Sequence, residues 1–287
     1  VKLFDKIQTW SSILFYSPYL FFHLIYKKII YKNLPDVRND ITINTINIGK
    51  VKFPLTLDNH GCEHLEEYLS FLYNQSYEPF TRHLIEKILK PGDIFFDVGA
   101  NLGYFSAVAA NAVGNNGEIY CFDIDPRCIN NLNEFKNMNP NYKIYPNNIA
   151  LGAKNEHINI ELTENHTWNT ILQSNKINRT GRIHNLKMIT LSSFIISNKL
   201  RMPKLIKIDV EGAEHGVLSG LSDILKQNKN HPFIIMEIAN YENNVSLICE
   251  LINELDYKII STIPPFHVIK SVDITSMTNV LLEPVVK

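Results

Sequence analysis

The sequence predicts an α/β fold built on a doubly wound, mostly parallel sheet, and three observations favour this fold. A largely apolar run from Ile94 to Val98 leads into a glycine turn and then into small apolar residues, the order of a strand, a tight turn and a helix. The run does not alternate with polar residues, as is typical of parallel strands buried on both faces. Further strand and helix patterns then alternate along the chain, which indicates a parallel sheet with helical crossovers.

Composition limits the classes of protein and partner. The chain has 287 residues, 45% of them hydrophobic, which is enough for one α/β domain with additions. A formal net charge of -1 gives no general attraction to nucleic acid, so no nucleic-acid partner is expected. The cysteines show no CxxC spacing and two fall within predicted core elements, which favours reduced thiols and a cytoplasmic location. They are Cys62, Cys121, Cys128 and Cys249.

Residues 1–75 are predicted to form an N-terminal extension ahead of the main domain, residues 76–287. The extension contains an apolar and aromatic run, Ile13 to Tyr26, followed by two lysines. This run is too short and too interrupted for a membrane span, and it lacks the small-residue cleavage site of a secretory signal. Two interpretations stay open: residues 10–31 form an interfacial helix that contacts a membrane or a partner, or a helix that packs on the domain.

The extension also contains an alternating apolar pattern that is typical of a β-hairpin. Ile46 and Ile48 alternate with polar residues before the turn at Gly49, and Val51 and Phe53 do so after it. A crowded group of polar residues and one cysteine follows, but its spacing matches no standard tetrahedral zinc site, so no metal is expected. The group comprises His60, Cys62, Glu63 and His64.

The main domain is predicted to alternate strands and helices throughout. The predicted strands span residues 94–98, 118–122, 142–145, 157–162, 187–191, 205–210, 233–238 and 257–261, and the predicted helices span residues 80–89, 107–113, 126–138, 192–198 and 244–255. The polar stretch from 163 to 185 is predicted to be a mobile loop or a substrate-binding insertion.

The turn after the first strand of the main domain indicates a nucleotide-like cofactor. Gly99 and Gly103 allow a ligand to approach the backbone closely, and the following helix offers unpaired N–H groups. A dinucleotide fingerprint would place its second glycine where this chain has Asn101. Asp97 lies just before the turn, where a carboxylate suits a cationic amino group, directly or through water, better than it suits a phosphate.

These features resemble motif I of the S-adenosylmethionine (SAM) methyltransferases. In that class an acidic residue after the second strand holds the ribose hydroxyls, and here Asp123 follows strand 118–122. Asp125 is two residues further on, and either carboxylate is able to make the ribose contact, directly or through water.

Four further segments resemble the FkbM-type methyltransferases, over roughly residues 63–260. They are Leu205 to Gly220, Tyr77-Glu78-Pro79, Pro91-Gly92-Asp93 and Ala150-Leu151-Gly152. Members of the family more often carry Phe-Glu-Pro where this chain has Phe122-Asp123-Ile124-Asp125-Pro126. The resemblance implies a Rossmann-like class I SAM methyltransferase with a seven-stranded sheet, closed by Asn279 to Leu282 as an antiparallel strand.

The resemblance and the residue patterns together predict the cofactor site. The predicted SAM-binding residues are Glu78, Asp97, Gly99, Asn101, Gly103, Asp123, Asp125, Asn148 and Asp209. Asn148 belongs to the stretch that lies beside adenine in the family, and Glu78 is expected at the methionine end. Structural alternatives stay open, with Asp97 or Asn101 holding the turn and Asp123 capping the next helix.

Three carboxylates are predicted to be catalytic: Asp209, Glu211 and Glu237. If the strand that begins at Leu205 continues to residue 211, Asp209 and Glu211 emerge on one side of it, facing the cleft beyond the carboxyl ends of the strands. Two close carboxylates repel, which raises a pKa or requires a cation between them. We therefore expect them to orient and deprotonate an acceptor without an obligatory metal. The alternative is that Glu211 and Glu214 favour a helix N-terminus.

The predicted function is SAM-dependent methyl transfer to a hydroxyl of a sugar, a glycan or another small polar metabolite. A hydroxyl acceptor needs only alignment and removal of a proton. One alternative is an NAD-dependent oxidoreductase on the same fold, and another is a non-catalytic SAM-fold protein that acts as a partner or membrane adaptor.

Overall fold

A computed structural model of the protein describes residues 45–54, 77–163, 179–238, 244–262, 266–270 and 278–285. The apolar segment at residues 10–31 and the crowded polar group at residues 60–64 lie outside the described residues. Within those ranges, no helix is long and apolar enough to cross a membrane.

The described residues form strands and helices that alternate through most of the chain. The strands are β1 (Thr45–Ile48), β2 (Val51–Pro54), β3 (Ile94–Val98), β4 (Glu118–Phe122), β5 (Lys143–Asn147), β6 (Ala150–Leu151), β7 (Glu156–Thr163), β8 (Arg179–Ile189), β9 (Leu205–Ile208), β10 (Phe233–Ile238), β11 (Tyr257–Ser261) and β12 (Thr278–Pro284). The helices are α1 (Pro79–Ile88), α2 (Tyr104–Val113), α3 (Pro126–Met138), α4 (Leu191–Ser197), α5 (Glu214–Gln227) and α6 (Asn244–Glu254).

The main sheet has seven strands in the order β11-β12-β10-β9-β3-β4-β5. Strand β12 runs antiparallel to β10 and β11, whereas the other pairs are parallel. The predicted doubly wound, mostly parallel sheet is therefore confirmed, including the antiparallel strand near residues 279–282. The strand order reverses beside β3, which pairs with β4 on one side and with β9 on the other. In open α/β sheets ligands bind at such a reversal, beyond the carboxyl ends of the strands.

Helices cover both faces of this sheet and create two cores. The first core packs α1, α2 and the β1–β2 hairpin against side chains that include Phe95, and the second packs α4, α5 and α6 against side chains that include Phe96. Helix α2 lies deep in the first core, where Ala107 and Ala110 are fully buried. Small residues at these positions allow the helix to fit between the sheet and the hairpin.

The sheet register places two charged residues side by side on the face of the sheet that packs in the first core. Asp97 of β3 pairs with Lys207 of β9, and Lys207 pairs in turn with Ile235 of β10. Side chains alternate along a strand, so Asp97 shares the face of Phe95. Two buried charges thus lie next to each other near the carboxyl end of the sheet, at its point of reversal.

One predicted boundary that bears on the site is wrong. Strand β9 ends at Ile208 instead of continuing to residue 210, because Glu211 (φ 52) and Gly212 (φ 103) take left-handed conformations that turn the chain into α5. Asp209 and Glu211 therefore do not alternate along a strand.

The predicted polar loop at 163–185 is wrong where it overlaps β8, and the strand predicted at 187–191 is the end of β8, which stops at Ile189. The antiparallel β7–β8 ribbon exposes polar side chains, which explains its loop-like composition. Asn185 donates to Asn159 across the ribbon at 2.9 Å, while Leu162 and Leu186 are buried on the inner side. Residues 164–178 lie outside the described part of the chain.

Gly99 has a structural reason that the sequence did not reveal. Its φ is +77°, and a Cβ at this position would overlap the backbone carbonyl oxygen of Asp209. Gly103 is also left-handed (φ +95°), and a Cβ there would meet the Leu132 side chain. These glycines therefore allow the turn to pack against protein atoms, whatever they offer to a ligand.

Replacing Gly99 with Ala is therefore expected to destabilise the fold itself. Backbone strain and overlap with a carbonyl group together cost about 3 kcal/mol. Gly92→Ala is the matched control, because Gly92 is also left-handed (φ +88°) but a Cβ there would meet nothing within 4 Å. Urea unfolding measures both variants. Equal losses in the two would show that contact with Asp209 does not matter.

Candidate functional site

Asp97 is buried at the end of β3 with an incomplete set of partners. The residue is 1% exposed, and its Oδ2 accepts a hydrogen bond from Ser106 Oγ of α2 at 2.6 Å. Among the described residues, its Oδ1 has no hydrogen-bond partner. Burial raises the pKa of this carboxyl, while Lys207 and Ser106 lower it. A buried oxygen without a donor is costly, so this atom indicates a place for a ligand donor.

Lys207 lies beside Asp97 and was missed by the sequence analysis. It is 4% exposed, its Nζ donates to Asp209 Oδ2 at 2.8 Å, and it stands 4.9 Å from the centre of the Phe105 ring. Burial alone would lower the pKa of Lys207, but Asp209, Asp97 and Glu78 raise it. A lysine inside the otherwise apolar strand Leu205–Ile208 was the available clue, because such a strand is buried on both faces.

The three predicted catalytic carboxylates come together at the ends of β9 and β10. Burial raises the pKa of Glu237 to about 8, with further contributions from Asp209, Glu78 and Glu211. Burial likewise raises the pKa of Glu211 to about 7, with further contributions from Asp209 and Glu214. We had expected repulsion to raise a pKa or to require a cation between the carboxylates. In the structure, burial is the largest cause of the raised pKa values. The ammonium group of Lys207 also acts on these carboxyls as a positive charge.

Glu78 approaches the same group from α1. It precedes Pro79 in a left-handed conformation (φ 37), and its Oε2 accepts from Thr81 Oγ1 at 2.9 Å. Burial raises the pKa of Glu78. Lys207 lowers this pKa and Asp209 raises it, so Glu78 interacts electrostatically with both residues. The predicted site residues therefore interact electrostatically with one another. They lie at the ends of β3, β9 and β10 and at the start of α1.

Asp123 joins the glycine turn to the end of β4. Its Oδ2 accepts the backbone N–H of Asn101 at 2.7 Å, and its Oδ1 accepts the N–H of Asp125 at 2.9 Å. Asn148 Nδ2 donates to the carbonyl oxygen of Asp123 at 3.0 Å. Asn101 itself is left-handed (φ 51). A carboxylate oxygen accepts more than one hydrogen bond, so Asp123 keeps acceptor capacity while it fixes the turn.

Both carboxylate oxygens of Asp125 accept hydrogen bonds from Arg127 in the first turn of α3. Asp125 is fully buried and is the N-cap of α3, where its Oδ1 accepts the Arg127 N–H at 2.8 Å. The Arg127 guanidinium also donates to its Oδ2, with Nη2 at 2.6 Å. The helix-cap role that we had considered for Asp123 therefore belongs to Asp125.

The cysteines of the described residues are free thiols. Cys121, Cys128 and Cys249 are free and buried, as predicted, whereas Cys62 lies outside the described residues. Within the described ranges, no group of three or more His, Cys, Asp and Glu side chains is arranged to hold a metal ion.

Comparison with known proteins identifies the family. A family model described as the methyltransferase FkbM domain matches residues 97–259. The chain belongs to the FkbM methyltransferase family. It is 24% identical over 215 residues to the hexuronic acid methyltransferase AglP of Haloferax volcanii, covering 73% of this chain and 83% of the relative.

The chain is also similar to solved structures of methyltransferases. Methyltransferase FkbM from Methylobacillus flagellatus KT matches with a TM-score of 0.44 and 14% identity over 76% of this chain and 53% of that chain, about half its length. A SAM-dependent O-methyltransferase from Thermotoga maritima matches with a TM-score of 0.39 and 12% identity over 82% of this chain and 89% of that chain. With the strand order described above, the predicted Rossmann-like class I fold is confirmed.

S-adenosylmethionine is the cofactor of this family and hence of this protein. The residues present fit such a ligand, which carries an ammonium group, a sulfonium group and ribose hydroxyls. Among the described residues, the Oδ1 of Asp97 has no hydrogen-bond partner, so it suits a charged N–H donor, and several carboxylates surround Lys207. The acceptor capacity of Asp123 suits a hydroxyl.

The raised pKa of Glu237 predicts a pH-dependent stability. A carboxyl whose pKa rises on folding stabilises the folded state below its unfolded pKa, and that contribution is lost as the pH rises towards about 8. Glu237→Gln removes this loss. We expect the stability of the variant relative to wild type to increase between pH 5 and pH 8.5, measured by urea unfolding.

Glu134→Gln, on the exposed surface of α3, is the control for this measurement. A constant difference between Glu237→Gln and wild type across this pH range would contradict the assigned pKa direction.

Proposed function

We propose that the protein is an O-methyltransferase that methylates a hydroxyl group of a sugar or glycan. The observation that carries the proposal is the meeting of Asp209, Glu211 and Glu237 at the ends of β9 and β10. Two of these carboxyls have pKa values raised to about 7 and about 8. A carboxylate in that range is suited to take a proton from an acceptor near neutral pH.

The relative AglP supports a sugar acceptor over other small polar metabolites. It is described as a hexuronic acid methyltransferase, and the similarity covers most of both chains. Oxygen is favoured as the acceptor atom because a hydroxyl needs a base to become a good nucleophile, and the site offers several carboxylates at the position of the predicted acceptor.

The chain has distinct groups for binding the cofactor. S-adenosylmethionine supplies an electrophilic methyl group on a sulfonium centre. In this proposal Asp97 binds the ammonium group and Asp123 binds the ribose hydroxyls. Asn101 and Asn148 hold Asp123 in place, and Glu78 lies at the methionine end. Asp125 caps the start of α3 and pairs with Arg127, and in this proposal it makes no ribose contact.

The catalytic carboxylates divide the work on the acceptor. Asp209, held by Lys207, accepts a hydrogen bond from the sugar hydroxyl and orients it. The hydroxyl oxygen forms the new bond to the methyl carbon as the bond from that carbon to sulfur breaks. The hydroxyl proton passes to Glu237 or Glu211 and then leaves for the solvent, so the reaction releases one proton for each methyl group transferred. No proton needs to leave Lys207 in this scheme.

The two alternative functions are less favoured. An NAD-dependent oxidoreductase would require the dinucleotide fingerprint that Asn101 interrupts, and the chain belongs to a methyltransferase family. A non-catalytic adaptor has no need for three carboxyls gathered around a buried lysine.

Asp97→Asn is expected to weaken SAM binding at least 10-fold while the protein stays folded. Asparagine has nearly the same shape but lacks the charge that pairs with an ammonium group. Isothermal titration calorimetry measures the affinity. Asp93→Asn is the control. Asp93 comes just before the first residue of β3, at the opposite end of the strand from Asp97, and its side chain accepts the N–H of Lys90. Equal SAM affinity in Asp97→Asn and wild type would remove Asp97 from the cofactor site.

Asp209→Asn, Glu211→Gln and Glu237→Gln are expected to keep SAM binding and to slow methyl transfer. The scale for a lost acid–base group is on the order of 10²-fold or more. The assay follows methyl transfer to neutral and acidic sugars by mass spectrometry, with SAM affinity measured in parallel. Glu134→Gln again serves as the surface control. Normal turnover in all three site variants would overturn the assignment of the base.

A further inference from the structure

Lys207 occupies a position that is costly for a positive charge. It lies in a central strand of the sheet, between β3 and β10, and only 4% of it is exposed. A buried ammonium group is tolerated when it is paired and hydrogen-bonded. Lys207 meets that requirement through Asp209 Oδ2 at 2.8 Å and through the face of Phe105.

The charge of Lys207 acts on more groups than its direct partner. Its ammonium lowers the pKa of Glu78 and Asp97, and also that of Glu211 and Glu237. For Glu211 and Glu237, burial and the neighbouring carboxylates act in the opposite direction and favour the protonated form. A protonated carboxyl is unable to take a proton from an acceptor.

Lys207 itself does not fit the role of base. Its carboxylate neighbours raise its pKa, so the nitrogen keeps its proton at neutral pH and has no free lone pair. Its reach and its fixed charge therefore suit an electrostatic role. Its ammonium lies where a carboxylate-rich site needs a permanent cation.

We propose that Lys207 is the positioning residue of the methyl-transfer site: its permanent positive charge holds Asp209 in place and favours the ionised forms of Glu211 and Glu237, the groups that receive the acceptor proton. This role rests on the proposed function for its catalytic part. Its electrostatic part concerns the folded protein alone and does not depend on turnover.

The first test compares the pH dependence of methyl transfer in Lys207→Met and Lys207→Arg. Methionine has similar length and no charge, whereas arginine keeps the charge. We expect the rising limb of kcat/KM in Lys207→Met to move up by roughly 1–3 pH units, the scale of a nearby opposite charge. Lys207→Arg should keep the wild-type limb, and Lys258→Met, at an exposed site on β11, should do the same.

A limb that stays at the wild-type pH in folded Lys207→Met would overturn the proposal, even if the rate falls. A purely structural lysine would lower the rate at every pH without moving the limb. A limb that moves equally in Lys207→Arg would also overturn it, because the charge is then not the cause.

The second test needs no substrate or cofactor. If Lys207 keeps the carboxylates ionised, Lys207→Met should lose stability faster than wild type as the pH rises from 5 to 8, because the uncompensated carboxylates repel. Urea unfolding at several pH values measures this slope. A variant that folds at pH 5 and unfolds at pH 8 also supports the proposal, whereas equal instability at both pH values overturns it.

The two tests separate the failure of this role from the failure of the proposed function. If the wild-type protein binds SAM but methylates no sugar, the proposed function is wrong, and the stability slope alone decides the role of Lys207. If wild type is active and neither the limb nor the slope changes in Lys207→Met, the role of Lys207 is wrong and the function stands.

Discussion

The ion pair between Lys207 and Asp209 is the interaction on which the candidate site depends. Lys207 belongs to β9 and Asp209 directly follows this strand, and the sheet register pairs Asp97 with Lys207. A buried pair adds little net stability, because removal of two charges from water offsets their attraction. Breaking it by removing one partner is far more costly, since the other charge is then buried alone. The pair therefore constrains which residues this strand tolerates more than it strengthens the fold.

The doubly wound sheet explains why residues so far apart in sequence share one environment. Strands β3 and β9 are neighbours although more than 100 residues separate them, and β10 lies on the far side of β9. The carboxyl ends of these three strands lie at the same edge of the sheet, so one side chain from each strand is enough to form a cluster of polar residues. Helix α1 adds Glu78 from outside the sheet. The fold supplies proximity, and the identity of a few terminal residues supplies the chemistry.

Much of this arrangement was accessible from the sequence because local patterns and global fold agree. Strands β4, β10 and β11 and helix α3 were predicted with the bounds that the structure shows. The failures have physical causes. Strand β8 is polar on its exposed side, and β9 ends early because the left-handed Glu211 starts a turn. Lys207 was missed because its meaning depends on neighbours from other strands, which no single stretch of sequence reveals.

The close packing of Gly99 against the carbonyl of Asp209 ties the glycine turn to the segment that follows β9. The Asp209 N–H also donates to the Val98 carbonyl at 3.0 Å, so the two segments are joined in both directions. Backbone contacts within the protein therefore set the distance between these two segments. A larger side chain at position 99 therefore disturbs the glycine turn and the segment after β9 together.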